Sequence, residues 1–575
     1  MHFRTLPLSY FGQINTQLTK SVGIRLMMNP IMNVENDLLS LFQYFRGREY
    51  VGNRFDSSPR PERFKNYSGP YVRLKTSTFK GDLAPPPPLT GTGLLERILL
   101  PSFGVTSVKF YGHQSEMLWS FPSAGGCYPV EAYVIVRSLD GVAPGIYYYS
   151  SLHTSLYKIG YADKLDQLNE SLLPEDRDAD FYFVLTAIPW RSCWKYSYKG
   201  YRFSLIDTGH VIANFQLVVR SLGMTHTAYT SLQAKCMKSL LRLDANEEAV
   251  ALIAVKESIS SKRGKAAGQA AGPEAGGSEP ARHGWKAAVG LSAAPLSAPP
   301  PGSPAGLHAV AAEVFGPPPG SPADVSDNAL SIRCVTSEQP DANPFDWSPV
   351  AAFQAKVSAT LSEPSASWLA EHELPAGWND YAKVLQLIID RRSSSCYLPE
   401  ELVYADFMQM VEFIRSLQFP LSSVYFSVHA VEDLVPGVYV HDGELRLIKA
   451  GDFRAASTKL CLDQEFVYAS SVVFFFAVDA SQVSADNYYV YQQRLIDAGI
   501  LGQMVYLKAQ ELGLGYSAIG GYYDFEVNET LQLPANQHII YAGTLGKDDP
   551  ASVSKVKKDR YIINRPKEKG AEDIR

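Results

Sequence analysis

Cysteine is scarce in this chain, and what there is does not pair. Six residues, Cys127, Cys193, Cys236, Cys334, Cys396 and Cys461, are scattered through 575 positions with no CxxC spacing. That excludes the disulfide frameworks of small secreted domains and the commoner zinc sites, and it predicts reduced thiols in a cytoplasmic protein. The eleven histidines form no HExxH or closely spaced pair, so no metal site is expected. Long apolar runs are missing too. The most apolar, Val472 to Val478, suits a buried strand and is far short of the roughly 20 residues that a membrane-crossing helix needs. The stretch from Val22 to Met32 is interrupted by Arg25, Asn29 and Pro30 and lacks a cleavage pattern, which argues against a signal peptide. Nor is there an excess of positive charge: the formal net charge is −6, and nothing calls for a nucleic-acid partner. The basic residues that do cluster, Lys555 to Lys569, form either a solvated tail or one whose first lysines meet a phosphate.

What is present is enough chain for two or three cores. Residues 1–90 mix short amphipathic pieces with turns and end in Pro85–Pro88, an arm or cap. Residues 257–340 shift to Ala, Pro, Gly and Ser, which cannot bury enough apolar surface to offset the entropy of ordering, so a disordered linker is predicted there. The flanking spans, 91–256 and 341–549, are related. Leu205-Ile206-Asp207-Thr208-Gly209 recurs as Leu495-Ile496-Asp497-Ala498-Gly499, and Pro144-Gly145-Ile146-Tyr147 recurs as Pro436-Gly437-Val438-Tyr439. The apolar strand at Phe181 matches that at Val472. These matches are collinear at nearly one spacing, so the chain is a tandem duplication, followed by the basic tail 550–575.

The repeat fails in informative places. The first half has Pro122-Ser123-Ala124-Gly125-Gly126-Cys127-Tyr128-Pro129 before a strand, a loop whose backbone a ligand could approach, or an ordinary turn. The second half reads Phe419-Pro420-Leu421-Ser422 there, without glycines. It has instead Arg391-Arg392-Ser393 at a helix end, either a solvated cap or donors for a phosphate, and a glycine pair, Gly520-Gly521. Complementary loss of this kind is expected if one site is assembled from both halves.

Pro-Ser-Ala-Gly-x-x-Tyr-Pro before a strand, Pro-Gly-x-Tyr after it, Lys195-Tyr196, then Gly-Tyr-Arg before Leu-x-Asp-x-Gly-His, and an Arg-Arg-Ser element with Gly-Gly far downstream resemble the flavin-dependent nitroreductase superfamily. Within it the pattern is most similar to the SagB-type dehydrogenases, which oxidise thiazolines and oxazolines in peptide natural products. The resemblance implies an α+β fold, duplicated here as a pseudo-dimer with mixed or antiparallel sheets flanked by helices. It also implies FMN bound at the interface of the halves. By that likeness Arg391, Arg392 and Ser393 hold the phosphate, Gly520 and Gly521 face the isoalloxazine, and Pro122, Ser123, Ala124 and Gly125 close the site from the first half. The family carries a further arginine at the position of Ser395, leaving a tail lysine to substitute. One FMN per chain is expected.

Aromatising an azoline removes a hydride from one carbon and a proton from its neighbour, so the protein must supply a base. Lys195 and Tyr196 match the family's pair: the lysine could lower the phenol's pKa or, partly buried, act as a neutral base, or the two could be a solvated loop residue and a packing aromatic. Arg202 and Asp207 read as an ion pair or a helix cap, and His210 as core. The expected substrate is an azoline on a peptide or carrier protein, with biosynthetic partner enzymes possible. Two other readings stay open: an NAD(P)H-dependent nitro or quinone reductase, and a non-catalytic peptide- or carrier-binding module.

Overall fold

Two sheets of the same topology carry the two halves. In the first, the strands lie in the order Tyr71–Arg73, Ser155–Gly160, Gly145–Ser150, Val130–Val136, Phe181–Ala187, Glu248–Lys256, Thr225–Tyr229. In the second the order is Leu445–Ala450, Gly437–His441, Ser423–Val428, Val472–Asp479, Gln537–Gly546, Gly515–Ile519. Apart from the edge strand Tyr71–Arg73, the two sheets correspond strand for strand. Every pairing is antiparallel, which settles the mixed-or-antiparallel alternative. The central strands, FYFVLTA and VVFFFAVD, are rich in β-branched and aromatic residues and buried almost throughout, as fits strands covered on both faces.

The structure is a computed structural model that describes residues 61–74, 91–111, 114–230, 232, 234–256, 333–335, 347–361, 374–484, 487–549 and 557–559, all within the unit Tyr44–Arg575. Most of the N-terminal arm, of the 257–340 linker and of the basic tail lies outside the described residues. Three pieces of those spans do not stand apart. Tyr71–Arg73, read as arm, joins the first sheet against Ser155–Tyr157. Arg333–Val335, at the end of the linker span, pairs with Asn66–Ser68. Lys557–Asp559, in the tail, pairs with Val105–Tyr111, so the tail returns to the first half.

Each half has one long central helix, Lys199–Ser221 and Tyr489–Glu511, buried along most of its length. Both end identically: Gly223 and Gly513 take φ of 73° and 70°, and the next residue's N–H reaches back to Val219 O (3.2 Å) and Ala509 O (2.8 Å). The two helices cross where the repeated motif places glycine. A Cβ on Gly209 would overlap Ile496 O and lie 2.8 Å from Gly499 Cα. A Cβ on Gly499 would overlap Ile206 O and lie 2.9 Å from Gly209 Cα. Glycine inside a helix costs about 1 kcal/mol against alanine, so its presence at both positions is explained by the backbone-to-backbone approach it permits. A further helix, Ser348–Thr360, sits across both halves, with the Phe353 ring 5.8 Å from Tyr201 and 6.1 Å from Tyr491, residues 290 positions apart like the rest of the repeat.

Gly499→Ala should therefore cost about 1–3 kcal/mol by forcing the helices apart; an unchanged urea midpoint for this variant would mean that the crossing is not as close as described.

Candidate functional site

The Pro122–Pro129 loop is a short turn in a conformation only glycine holds easily. Gly125 and Gly126 sit at φ of 59° and 64°, and Tyr128 comes next but one at 48°. Ser123 organises it, its Oγ donating to Asp207 Oδ2 at 2.5 Å and accepting the Tyr128 N–H at 2.8 Å. Gly125 is exposed, and the space beside its Cα is taken: a Cβ there would overlap Tyr196 Oη and come within 2.6 Å of Lys195 Nζ. Lys195 and Tyr196 close the helix Trp190–Tyr196, and Lys195 Nζ donates to Gly125 O at 3.3 Å. The structure thus brings together Gly125, Lys195 and Tyr196. Lys195 is exposed, so the partial burial supposed for it from sequence is absent.

The second half meets this loop directly. A Cβ on Gly520 would lie 3.4 Å from Ala124 Cβ and 3.3 Å from the Phe203 ring, so the glycine pair and the Pro122–Gly125 loop abut across the halves although nearly four hundred positions separate them. Arg391 is buried and also crosses, donating from Nε to Ser120 O (3.2 Å) and from Nη2 to Trp119 O (3.3 Å), while its Nη1 is buried without a hydrogen-bond partner. Its guanidinium lies 5.1 Å from the Tyr506 ring centre. Arg392 folds back onto the helix end, donating to Ile389 O (2.6 Å) and Arg391 O (2.7 Å). Ser393 Oγ meets Tyr506 Oη at 2.8 Å, and that oxygen also accepts the Ala518 N–H at 2.8 Å. Gly521, next to Gly520, is half-buried. Beside the loop opens a cleft of about 280 Å³ lined by Pro61, Arg63, Glu116, Gly125, Cys127, Arg191, Trp194 and Lys195.

The sequence model of the Nitroreductase family matches residues 108–255 and again 388–547, together more than half of the chain. The chain belongs to the nitroreductase family. Among curated relatives it is 32% identical over 145 residues to the trifolitoxin-processing protein TfxB of Rhizobium leguminosarum bv. trifolii, covering 24% of this chain and 39% of that protein. It is 25% identical over 132 residues to the microcin B17-processing protein McbC of Escherichia coli, covering 22% of this chain and 48% of McbC. The match thus spans less than half the length of either. A solved structure of a candidate nitroreductase from Anabaena variabilis, 23% identical, superposes with a TM-score of 0.63 over 88% of this chain and 99% of its own, which shows the shared fold.

One sequence expectation about this nitroreductase-family site needs correction. Arg202 and Asp207 are neither each other's partners nor caps; both lie inside the helix and face different neighbours. Arg202 reaches into the second half, where its Nη1 meets Asp524 Oδ1 at 2.7 Å, and Lys199 Nζ meets Asp524 Oδ2 at 3.0 Å. Burial works against the Arg202 charge, but Tyr522 and Asp524 outweigh it and hold the guanidinium protonated. Asp207 instead serves the loop. Sequence periodicity could not separate these roles, because both residues occupy buried positions of one helix. His210 is core, as expected: it is buried, meets Gln503 Oε1 (3.2 Å) and Tyr541 Oη (2.8 Å), and burial, aided by Arg391, depresses its pKa to about 3. Among the described residues, no helix is long and apolar enough to cross a membrane.

Burial raises the Asp207 carboxyl from 3.8 to about 8, partly offset by the Ser123 hydroxyl and the Ala124 N–H. A carboxyl raised in the folded state contributes stability that is complete below the unfolded value near 4 and lost as pH rises through about 8. Asp207→Asn retains an acceptor for Ser123 and carries no proton to lose. The melting temperature of the natural protein should therefore fall relative to that of Asp207→Asn between about pH 4 and 8; parallel curves would contradict the assignment.

Proposed function

We propose that this nitroreductase-family chain is an FMN-dependent dehydrogenase that oxidises a thiazoline or oxazoline of a peptide to the aromatic azole. The observation that carries the proposal is the meeting of Ala124 and Gly520 across the halves, with Lys195 and Tyr196 held against Gly125. The partnerless Arg391 Nη1 is the kind of buried donor an anion would satisfy, so Arg391 fits the cofactor's phosphate. Arg391, Arg392 and Ser393 would hold its phosphate, Gly520 and Gly521 would lie along its ring, and Pro122 to Gly125 would close it in. When bound, FMN supplies the acceptor for the hydride. Tyr196 takes the proton from the neighbouring carbon, with Lys195 Nζ 5.3 Å from the centre of its ring. Buried Tyr128, with its phenol pushed up to about 12 by burial, stays neutral and serves as packing behind the loop. The names of TfxB, a trifolitoxin-processing protein, and McbC, a microcin B17-processing protein, support a substrate that is processed into a product of this kind.

Purified protein should be yellow, and incubation with a thiazoline-bearing peptide in air should remove the mass of two hydrogens from the peptide while oxygen is consumed. Tyr196→Phe should lower kcat by roughly 100-fold or more with flavin retained. Gly125→Val, which collides with Tyr196, should yield colourless protein. Rapid bleaching by NADPH without oxidation of the peptide would overturn the reading in favour of a reductase.

A further inference from the structure

A small antiparallel sheet outside the two main ones flanks the cleft: Lys557–Asp559, Val105–Tyr111 and Gln114–Trp119, in that order. One edge of its hairpin is thus closed by the chain's own tail strand. The other edge, Gln114–Trp119, has no strand beside it among the described residues. Backbone groups of successive strand residues face opposite edges. Leu118 O is met from the hairpin side by Thr106 Oγ1 at 3.4 Å, so Leu118 faces inward and its neighbours Met117 and Trp119 face the open edge. Trp119 agrees: its C=O accepts Arg391 Nη2, and its N–H is taken by Tyr128. Beyond Trp119 the outward N–H and C=O of Met117, and then those of Ser115, have no partner among the described residues.

Unpaired edges invite strand addition and are ordinarily blunted or covered. This one ends at the candidate site. Glu116 lies on the strand, lines the cleft with Gly125 and Lys195, and is paired at 2.9 Å with Arg63 from the segment that forms the cleft's other wall. That wall is anchored: Phe64 stacks on Trp119 at 5.4 Å, and Lys65 is buried in an ion pair with Glu247. We infer that the peptide flanking the heterocycle binds as an added β-strand on the open edge of Gln114–Trp119, bonding through Met117 and Ser115, so that its next residues enter the cleft beside Lys195. The inference rests on the proposed function for the identity of the peptide, but not for the mode of binding. Main-chain pairing would hold peptides of varied sequence, leaving Arg63 and Glu116 to select among side chains.

The test uses the full, flavin-bearing chain and a fluorescein-labelled thiazoline peptide, with binding read by anisotropy. Met117→Pro removes one outward N–H and leaves the hairpin's own ladder intact. It should weaken binding roughly tenfold, with flavin content and turnover of a minimal thiazoline lacking flanking residues unchanged. Against the natural protein, peptides carrying a single backbone N-methyl group should lose affinity at alternate positions only. Equal binding by Met117→Pro together with no alternation in the methylated series would overturn the inference. Alternation in a peptide that is bound but never oxidised would uphold the docking mode while the proposed reaction fell.

Discussion

The two central helices meet backbone to backbone at Gly209 and Gly499, and the remaining organisation depends on it. Only at this separation do the two central helices share a core, and only then do residues on one half lie within reach of the other. Arg202 and Lys199 find Asp524, Arg391 finds the carbonyls of Trp119 and Ser120, and Gly520 finds Ala124. The polar contacts among these are buried, so each partner is needed to keep the other's charge or dipole satisfied. The crossing sets the distance, and the charges fix the register.

Around that near-symmetric frame the halves have diverged in chemistry. Asp207 and Asp497 occupy equivalent helix positions and are both raised by burial, to about 8 and about 7. Asp207 is met by the loop's hydroxyl and backbone. In the second half that loop is absent, and Asp497 is left with Arg494 at 3.4 Å and one carboxyl oxygen without a partner. Loss on one side and retention on the other leaves the Pro122–Gly125 loop of the first half facing Gly520 of the second.

Much of this was legible in the sequence, because duplication exposes what composition alone hides. The collinear repeats pointed to the twin sheets, and the apolar runs at Phe181 and Val472 to their central strands. The failures of the repeat picked out the loops that meet across the halves. The partners of individual polar residues were not legible. Arg202 and Asp207 lie five positions apart on one helix, and nothing in their spacing says that one faces the opposite half and the other its own loop. Nor did local pattern show that Tyr71–Arg73 and Lys557–Asp559 add to sheets, since three-residue strands are specified by the edge they join and carry almost no periodicity of their own. The exposure of Lys195 likewise depends on where its helix ends, which the residues around it do not reveal.

In a dimer of identical chains every mutation arrives twice, and a glycine at the crossing point could never be altered on one side alone. Joining the halves in one chain removes that constraint. Each copy of the crossing motif can change without the other. The same covalent link makes the meeting of Ala124 with Gly520 a first-order event, independent of how dilute the protein is. A chain built this way can keep a composite site at concentrations where separate subunits would part, and can turn its second, redundant surface to something new.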